Sequence, residues 1–584
     1  MSIKRRNSRI QGASLLALLL LVACKPVPSA TGEKVLHTAL PAHFKGFDPA
    51  LAEDAYTNQI VHELYETLYQ YAYRKRPIEL EPCLAQSMPV ISQDQLTYTI
   101  TIKQGVFFSD DPAFAPGGSG RELTADDMVY SIKRLADPRT NSTGWWLFDN
   151  KIVGLNAFRQ AMNNQRTNDY GLEVAGLRAL DRYTLQIRLT KPYPQLLYAL
   201  SMPYSSAVAR EAVEFYGQEF INHPVGTGPF VLEKYRRDYE VVLKRNPRYR
   251  QESVHIPESK AVVRLPQLDK VVVRIQRESQ PRWLNFLQGN LDWCDIPKDN
   301  FDSAIDAKGQ LKPELIQRGM ELWKGADIDL TYTAFNMDDP IIGNNVHLRR
   351  AMSLAFDTNK RIERLYNGRA VPAHSPIPPG LTGHDENLKN PYKVFNLVQA
   401  RQEMIKAGYP GGKGLPVRRM QSIADTSQRH FDELFVAEMA AIGITIQVET
   451  NTWPELLDKI NKRQAAIFGM AWGADYPDAE NFLSLFYSAN ASPGNNSTNY
   501  RNKAFDQLYE KAKQMQDSPE RTKLYQQMAQ IVNADVPMIY GVHRIRVVPY
   551  YRWLKNFVPH PMRHGFFKYY DIDNALKASI LTAS

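Results

Sequence analysis

The stretch FGMAWGADYPDAENFL, residues 468 to 483, gathers Asp475, Asp478 and Glu480 beside Trp472 and Tyr476. The segment AAIFGMAW that leads into it has the apolar run of a buried strand. AENFLSLFYS, which follows, places Phe482, Leu483, Leu485 and Phe486 on the apolar face of a short helix. Asp478 therefore stands where a helix N-cap accepts backbone N–H bonds, and Glu480 lies by that helix's positive end. Asp475 has no such structural work. It follows the strand directly, where a buried carboxylate without a cation is costly. The cation comes either from a lysine or arginine of the chain or from something the protein binds.

The constellations of an enzyme are absent. HELYE at 62 to 66 lacks the second histidine of a zinc protease, and GGSG at 117 to 120 lacks the glycine spacing of a nucleophile elbow. His560 and His564 are four apart, but Pro561 lies between them and no third metal ligand accompanies them. The acids of DDPAFAPGGSG, 110 to 120, are not spaced as a calcium loop requires. No enzyme, metal site or cofactor site is expected.

The elements that would position Asp475 belong to a large molecule. At 584 residues the chain exceeds what one core supports, and 43% hydrophobic with 23% charged residues is a globular composition. The first 23 residues carry four basic residues and the apolar run Leu15 to Ala23, too short for the roughly 20 residues that span a bilayer, so they read as a signal peptide. Without them the net charge falls from +9 by four, to +5, and no basic block marks a nucleic-acid partner. Beyond Cys24 only Cys83 and Cys294 remain, and whether they pair is open on spacing alone.

LTADDMVYSIKRL, 123 to 135, is the clearest helix. Thr124 and Asp127 suit a capping arrangement, Leu123 can staple onto Met128, and Met128, Val129, Ile132 and Leu135 share one face. LTYTITI (96–102) and YTLQIRL (183–189) alternate as half-buried strands, whereas KVVVRIQ (270–276) is more continuously apolar. In HPVGTGPFVL (223–232), Gly226 and Gly228 are expected to supply unusual backbone angles. RRAMSLAFD (349–357) reads as a helix, another starts at TWPELLDKI with Thr452 and Glu455 as a capping box, and 370 to 385 is too proline-dense for a regular element. No internal repeat is present, and the order of elements suggests α/β lobes.

Taken in order, GFDPALAEDAYTNQIVHELYETLY, LTYTITIKQGVFFSDD, LTADDMVYSIKRLADP, ALDRYTLQIRLTKPYP, HPVGTGPFVL, RNPRY, FLQGNLD, LRRAMSLAFD and WGADYPDAENFL resemble the motifs of one family. It is the large solute-binding proteins of peptide-class ABC importers, family 5, and the likeness covers essentially everything after Cys24. The resemblance implies an α/β, two-lobed fold of the periplasmic-binding-protein type (type II, class C) with an extra subdomain. Lobe one would run over 24–328 with the subdomain at about 65–190, lobe two over 329–542, and 543–584 would return to lobe one. Residues Leu21-Val22-Ala23-Cys24 resemble a lipobox, which implies lipid on Cys24 and an anchor in the cell envelope. Lys25 leaves the membrane face open.

The same resemblance implies capture of an extended peptide between closing lobes and its delivery to an inner-membrane ABC permease by a monomer. It assigns Asp475 to the ligand's α-ammonium, Glu53, Asp54, Ala55, Ala471 and Gly473 to its main chain, and Trp472, Trp453 and Trp145 to side-chain pockets. Core packing is the alternative for each tryptophan. Where some members carry an arginine for the ligand's carboxylate, this chain has Gly469. A longer or C-terminally blocked ligand, or an anchor such as Lys462 or Arg463, would follow. Relatives of the fold also take murein peptides, sugars, opines and nickel chelates. A hydrolase is the least favoured reading.

Overall fold

The computed structural model describes residues 32–583 apart from 43, 164–168, 257–260 and 563–565. Cys24, the expected signal peptide and His564 lie outside those residues.

The architecture is α/β with two lobes. In the first, Val35–Leu40 pairs in parallel with Lys270–Ile275, and Glu240–Arg245 and Phe230–Arg236 follow antiparallel. Lys270–Ile275 alternates half-buried and fully buried positions over its first four residues, so its apolar run has one fully buried face. A second antiparallel sheet is built from Val90–Ile91, Thr97–Thr101, Thr184–Arg188 and Leu177–Asp181. The helix Ala125–Ala136 packs on it, with the Thr124–Asp127 capping box formed and Met128, Ile132 and Leu135 buried. Asp48 fixes the segment before helix Ala55–Leu64. It caps a short turn through Ala50 N–H at 3.0 Å and accepts both arms of the buried Arg134 guanidinium at 2.7 and 2.6 Å.

The second lobe is a five-stranded sheet in the order Ile446–Asn451, Arg418–Ile423, Ile467–Gly473, Asp329–Phe335, Met538–Tyr540. Phe335 and Ile467 meet Met352 and Phe435 from the helices Val346–Leu354 and Thr426–Ala440 in a core of their own. The sheet is incompletely zipped. Arg418–Ile423 reaches Ile467–Gly473 only at Met420 with Ile467 and Gln421 with Phe468, so from Gly469 onward that strand has a neighbour on one side only, Asp329–Thr333.

A three-stranded sheet, Met320–Ala326, Val542–Tyr551 and Ala370–Pro372, joins the lobes. The last of these lies inside the proline-dense 370–385. Proline is tolerated there because the strand is short and stands at a sheet edge. The chain crosses between this sheet and that of lobe two at Asp327–Ile328 and again at Gly541, which alone separates Met538–Tyr540 from Val542–Tyr551. Gly541 N–H donates to Thr331 O at 2.6 Å, and a Cβ at Gly541 would lie 2.3 Å from Thr331 Oγ1.

The far end of the chain comes back to the first described residues: Lys34 Nζ meets Asp571 at 2.6 Å, and Asn574 Nδ2 donates to Gly32 O at 2.7 Å. One local expectation changes, and one open question is answered. Gly226 and Gly228 do not adopt left-handed angles; they are glycine because a Cβ at either would press on the Leu64 backbone, at 2.2 Å from its oxygen and 2.5 Å from its carbonyl carbon respectively. Cys83 and Cys294 are both free and buried. The Cys83 thiol, 3.5 Å from a Glu66 carboxylate oxygen, is pushed up to about 12 by burial and by that acid, which leaves it unreactive.

Candidate ligand-binding site

Asp475 sits two residues beyond the strand Ile467–Gly473, on the wall of a cavity of about 1140 Å³ between the lobes. One oxygen accepts from Asn481 Nδ2 at 2.9 Å, and Asn481 Oδ1 accepts from Asp475 N–H at 3.1 Å and from Trp472 Nε1 at 2.9 Å. One asparagine thus fixes both the acid and the indole beside it. No lysine or arginine among the described residues forms an ion pair with Asp475. The carboxylate touches cavity solvent yet is enclosed by both lobes, and that burial raises its pKa while the Asn481 amide holds it back. A cationic ligand group is the partner this geometry lacks.

The other acids of the opening motif have partners. Asp478 caps the helix Ala479–Leu483 through Glu480 N–H at 2.9 Å, and it also takes Arg521 at 2.7 Å and the Tyr525 hydroxyl at 2.8 Å. Glu480 lies in the first turn of that helix as expected and has further partners. Its carboxylate is buried, accepts from the hydroxyls of Tyr476 and Tyr509, and is raised by burial and by its neighbour Asp478. It lines the cavity.

Of the residues expected to contact a ligand, Glu53, Ala55, Trp472, Gly473 and Asp475 line the cavity together. Glu53 is held by Lys45, and Ala55 opens a helix whose cap is Asp54, which accepts from Tyr56 N–H at 3.0 Å and Thr57 N–H at 2.9 Å. Asp54 thus positions the wall and is not itself part of it. Ala471 and Gly473 lie exposed on the half-free strand. Trp453 stands 51% exposed at the start of a helix away from the cavity. Trp145 carries the Arg159 guanidinium 4.9 Å over its ring in a separate crevice, while its neighbour Trp146 faces the cavity.

Lys462 pairs with Asp458 at 2.7 Å, and Arg463 pairs with Asp338 at 2.9 Å and donates to Ser492 O at 3.0 Å, so neither reaches the cavity. Gly469 has no close obstruction; a Cβ there would meet Gln428 Nε2 at 3.7 Å.

Sequence reasoning missed Asn481, Tyr204, Asp329 and Lys151. Asp329 lines the cavity opposite Gly473 in strand register and is ion-paired with Arg544. Lys151 lines the cavity with its ammonium 4.4 Å over Tyr193 and donating to Trp146 O at 2.9 Å; desolvation lowers it to about 8. Only Asn481 had a signal, its place within the acid motif. The others are brought in by long-range packing. No cluster of three or more metal-ligating side chains occurs among the described residues, and no helix among them is long and apolar enough to cross a membrane.

Two α/β lobes with a polar chamber between them, walled by both and bearing an acid unmatched among the described residues, define a solute-capturing protein. The chain belongs to the bacterial extracellular solute-binding proteins, family 5, whose middle-region profile matches residues 79–494. It is 27% identical over 538 residues to heme-binding protein A of Haemophilus influenzae, covering 90% of each chain. It is 26% identical over 544 residues to di/tripeptide-binding protein 2 of Pseudomonas aeruginosa, covering 92% of this chain and 94% of that one. Among solved structures it is similar to the ABC transporter-associated periplasmic binding protein DppA of Helicobacter pylori in complex with the peptide STSA. The TM-score is 0.72 at 26% identity, with 92% of this chain and 98% of that one covered.

Proposed function

We propose that this protein captures extended peptides with a free amino terminus between its lobes and delivers them to an ABC permease in the inner membrane. The observation that carries the reading is Asp475: an acid with no ion-pair partner among the described residues, at the end of a strand whose edge is unpaired from Gly469 to Gly473, on the wall of a chamber of about 1140 Å³. An extended ligand can add to that free edge through its main chain while its ammonium meets Asp475, and water in the chamber accommodates varied side chains. Binding then depends little on sequence and strongly on the amino end. The similarity to a di/tripeptide-binding protein and to a peptide complex supports the same ligand class.

In this reading Glu53, Ala55, Ala471 and Gly473 contact the ligand's main chain and Trp472 lines a side-chain pocket, with Asp54 holding the wall. The crossings at Asp327–Ile328 and Gly541 serve as the hinge, which divides lobe one (24–328, subdomain about 65–190) from lobe two (329–542) before the chain returns at 543–584. The protein acts as a monomer without catalysis, in the periplasm, anchored by lipid on Cys24.

Asp475→Asn tests the reading. Replacing one charge of a desolvated ion pair costs about 2 to 5 kcal/mol, so calorimetric affinity for a free peptide should fall by tenfold or more. An N-acetylated peptide should bind wild type and variant equally weakly. Equal wild-type affinity for free and acetylated peptides would remove Asp475 from the ammonium role. Native mass spectrometry of gently purified protein gives an independent check, since a single sugar, chelate or haem in place of heterogeneous peptides would overturn the ligand class.

A further inference from the structure

Lobe two has a second distinctive face, none of whose residues lines the chamber. Between Glu386 and Met420 the chain carries seven basic residues and one acid, Glu403, whereas the whole chain has 71 basic and 62 acidic residues. That acid is not displayed: it is buried, 2.6 Å from both His347 and Lys406. Lys393 is buried as well, and Arg418 and Arg419 are matched by Asp339 and Glu449 at 3.6 and 3.4 Å. Lys389, Arg401, Lys406 and Lys413 remain exposed, and of these only Lys406 has an ion-pair partner among the described residues.

The helix Leu397–Lys406 runs through this segment. Ala400, Glu403 and Met404 turn inward, and the helix packs on Val346–Leu354. Val398 and Ile405, two turns apart, form the ridge of its outward face. At about 100° per residue, Arg401 falls on one side of that ridge and Lys406 on the other. Val394 and Phe395 stand just before the helix begins, and these four apolar side chains are between 46% and 67% exposed. Single exposed apolar residues need no explanation, but several set together on one face mark a contact.

We propose that this face rests on an anionic lipid surface, with the helix in the plane of the headgroups, Val398 and Ile405 dipping toward the acyl chains and the flanking cations on phosphate. Cations alone would suit any polyanion. The apolar ridge between them asks for a partner that is anionic at its surface and apolar just beneath, which describes a bilayer of acidic lipids. The inference goes beyond the peptide reading and does not rest on it. It gives lobe two its own hold on the membrane, besides the lipid proposed on Cys24.

The test uses the mature chain made without lipid, through Cys24→Ser, and sediments it with vesicles of phosphatidylglycerol, of phosphatidylcholine, or of an equal mixture. The otherwise unaltered face should partition onto phosphatidylglycerol about tenfold better than onto phosphatidylcholine, and the preference should fade as salt rises. Val398→Ser with Ile405→Ser removes the ridge without changing charge and should cut partition onto phosphatidylglycerol about tenfold. Arg401→Gln and Lys413→Gln should each cut it about fivefold. Leu284→Ser, at a similarly exposed position on lobe one, is the control and should change nothing. Melting temperatures and peptide affinities matched to the parent establish that the variants fold. The inference is overturned if the parent stays in solution with every vesicle, which would leave the face to a protein partner. It is equally overturned if phosphatidylcholine binds as well as phosphatidylglycerol, or if the double serine variant partitions like the parent. None of these results bears on peptide capture, which stands or falls by the Asp475 titrations.

Discussion

Asp475 and Glu63 are both carboxyls raised by burial, with opposite consequences for the protein. Asp475 must be ionised to hold an ammonium. Ligand affinity should therefore fall as pH drops through its raised pKa, and fall again above about 8 as the ligand's α-amino group loses its proton. On the acid limb binding should release a proton, which calorimetry in buffers of different ionisation enthalpy reads directly. An affinity flat from pH 4 to 7 would contradict the pairing. Glu63 is fully buried, accepts the Phe567 N–H at 2.8 Å, and is raised by burial from 4.5 to about 8 although the Phe567 and Lys568 backbone amides and the Lys568 charge hold it back. A folded-state pKa above the unfolded one gives stability that is complete below about 4.5 and is lost as pH rises through about 8. Glu63→Gln should remove that loss, gaining on the order of a few kcal/mol over wild type at pH 9 relative to pH 4 in urea unfolding. Asp475 was legible in sequence because its neighbours Asp478 and Glu480 had local explanations and it had none. Glu480 stands in the first turn of its helix as expected, whereas its further tie to Tyr509, 29 residues away, left no local signal.

At the scale of elements, the capped helices were the most legible, since a cap and a periodic face are both local. Ala125–Ala136 and Trp453–Asn461 form with the caps assigned to them. Contacts between elements were not legible. The glycines at 226 and 228 read as turn formers, whereas they admit the Leu64 backbone from a helix more than 150 residues earlier. The half-free edge of Ile467–Gly473 leaves no trace in its own residues, because it depends on where Arg418–Ile423 stops. Gly541 is the element-scale residue most open to test. Its missing side chain lets the two sheets pass with a single residue between them, and a methyl group would sit 2.3 Å from Thr331 Oγ1. Gly541→Ala should cost about 1 to 3 kcal/mol of stability by overpacking, visible as a lower urea midpoint with an unchanged slope. An unaltered midpoint would mean the crossing can spread at no cost.

For the whole molecule, the decisive property is that one chamber is walled by residues of both lobes, from Glu53 and Tyr204 on one side to Asp475 and Glu510 on the other. A ligand bridging these walls binds the closed arrangement better than the open one and shifts the population by that difference. Small-angle scattering should record a smaller radius of gyration on adding a tight-binding peptide, and the melting temperature should climb with the logarithm of ligand concentration above its Kd. A radius unchanged at saturation would indicate a chamber that fills without closure. The two-lobed class was legible from the ordered motifs. The chamber's wall was not, because Lys151, Tyr204 and Asp329 come from distant segments that only the folded molecule assembles.

The return of the chain to its start has a use in protein engineering. Gly32 and Asn574 are in contact, and the helix after Asn574 extends only about 15 Å at about 1.5 Å per residue. A short linker could therefore join that helix to Gly32 in a chain that begins there, and the ring so made could be cut at the exposed Lys413 on lobe two. The permuted protein would present its new termini on the opposite lobe. A donor fluorophore fused there and an acceptor on lobe one would then convert each capture event into a change of colour.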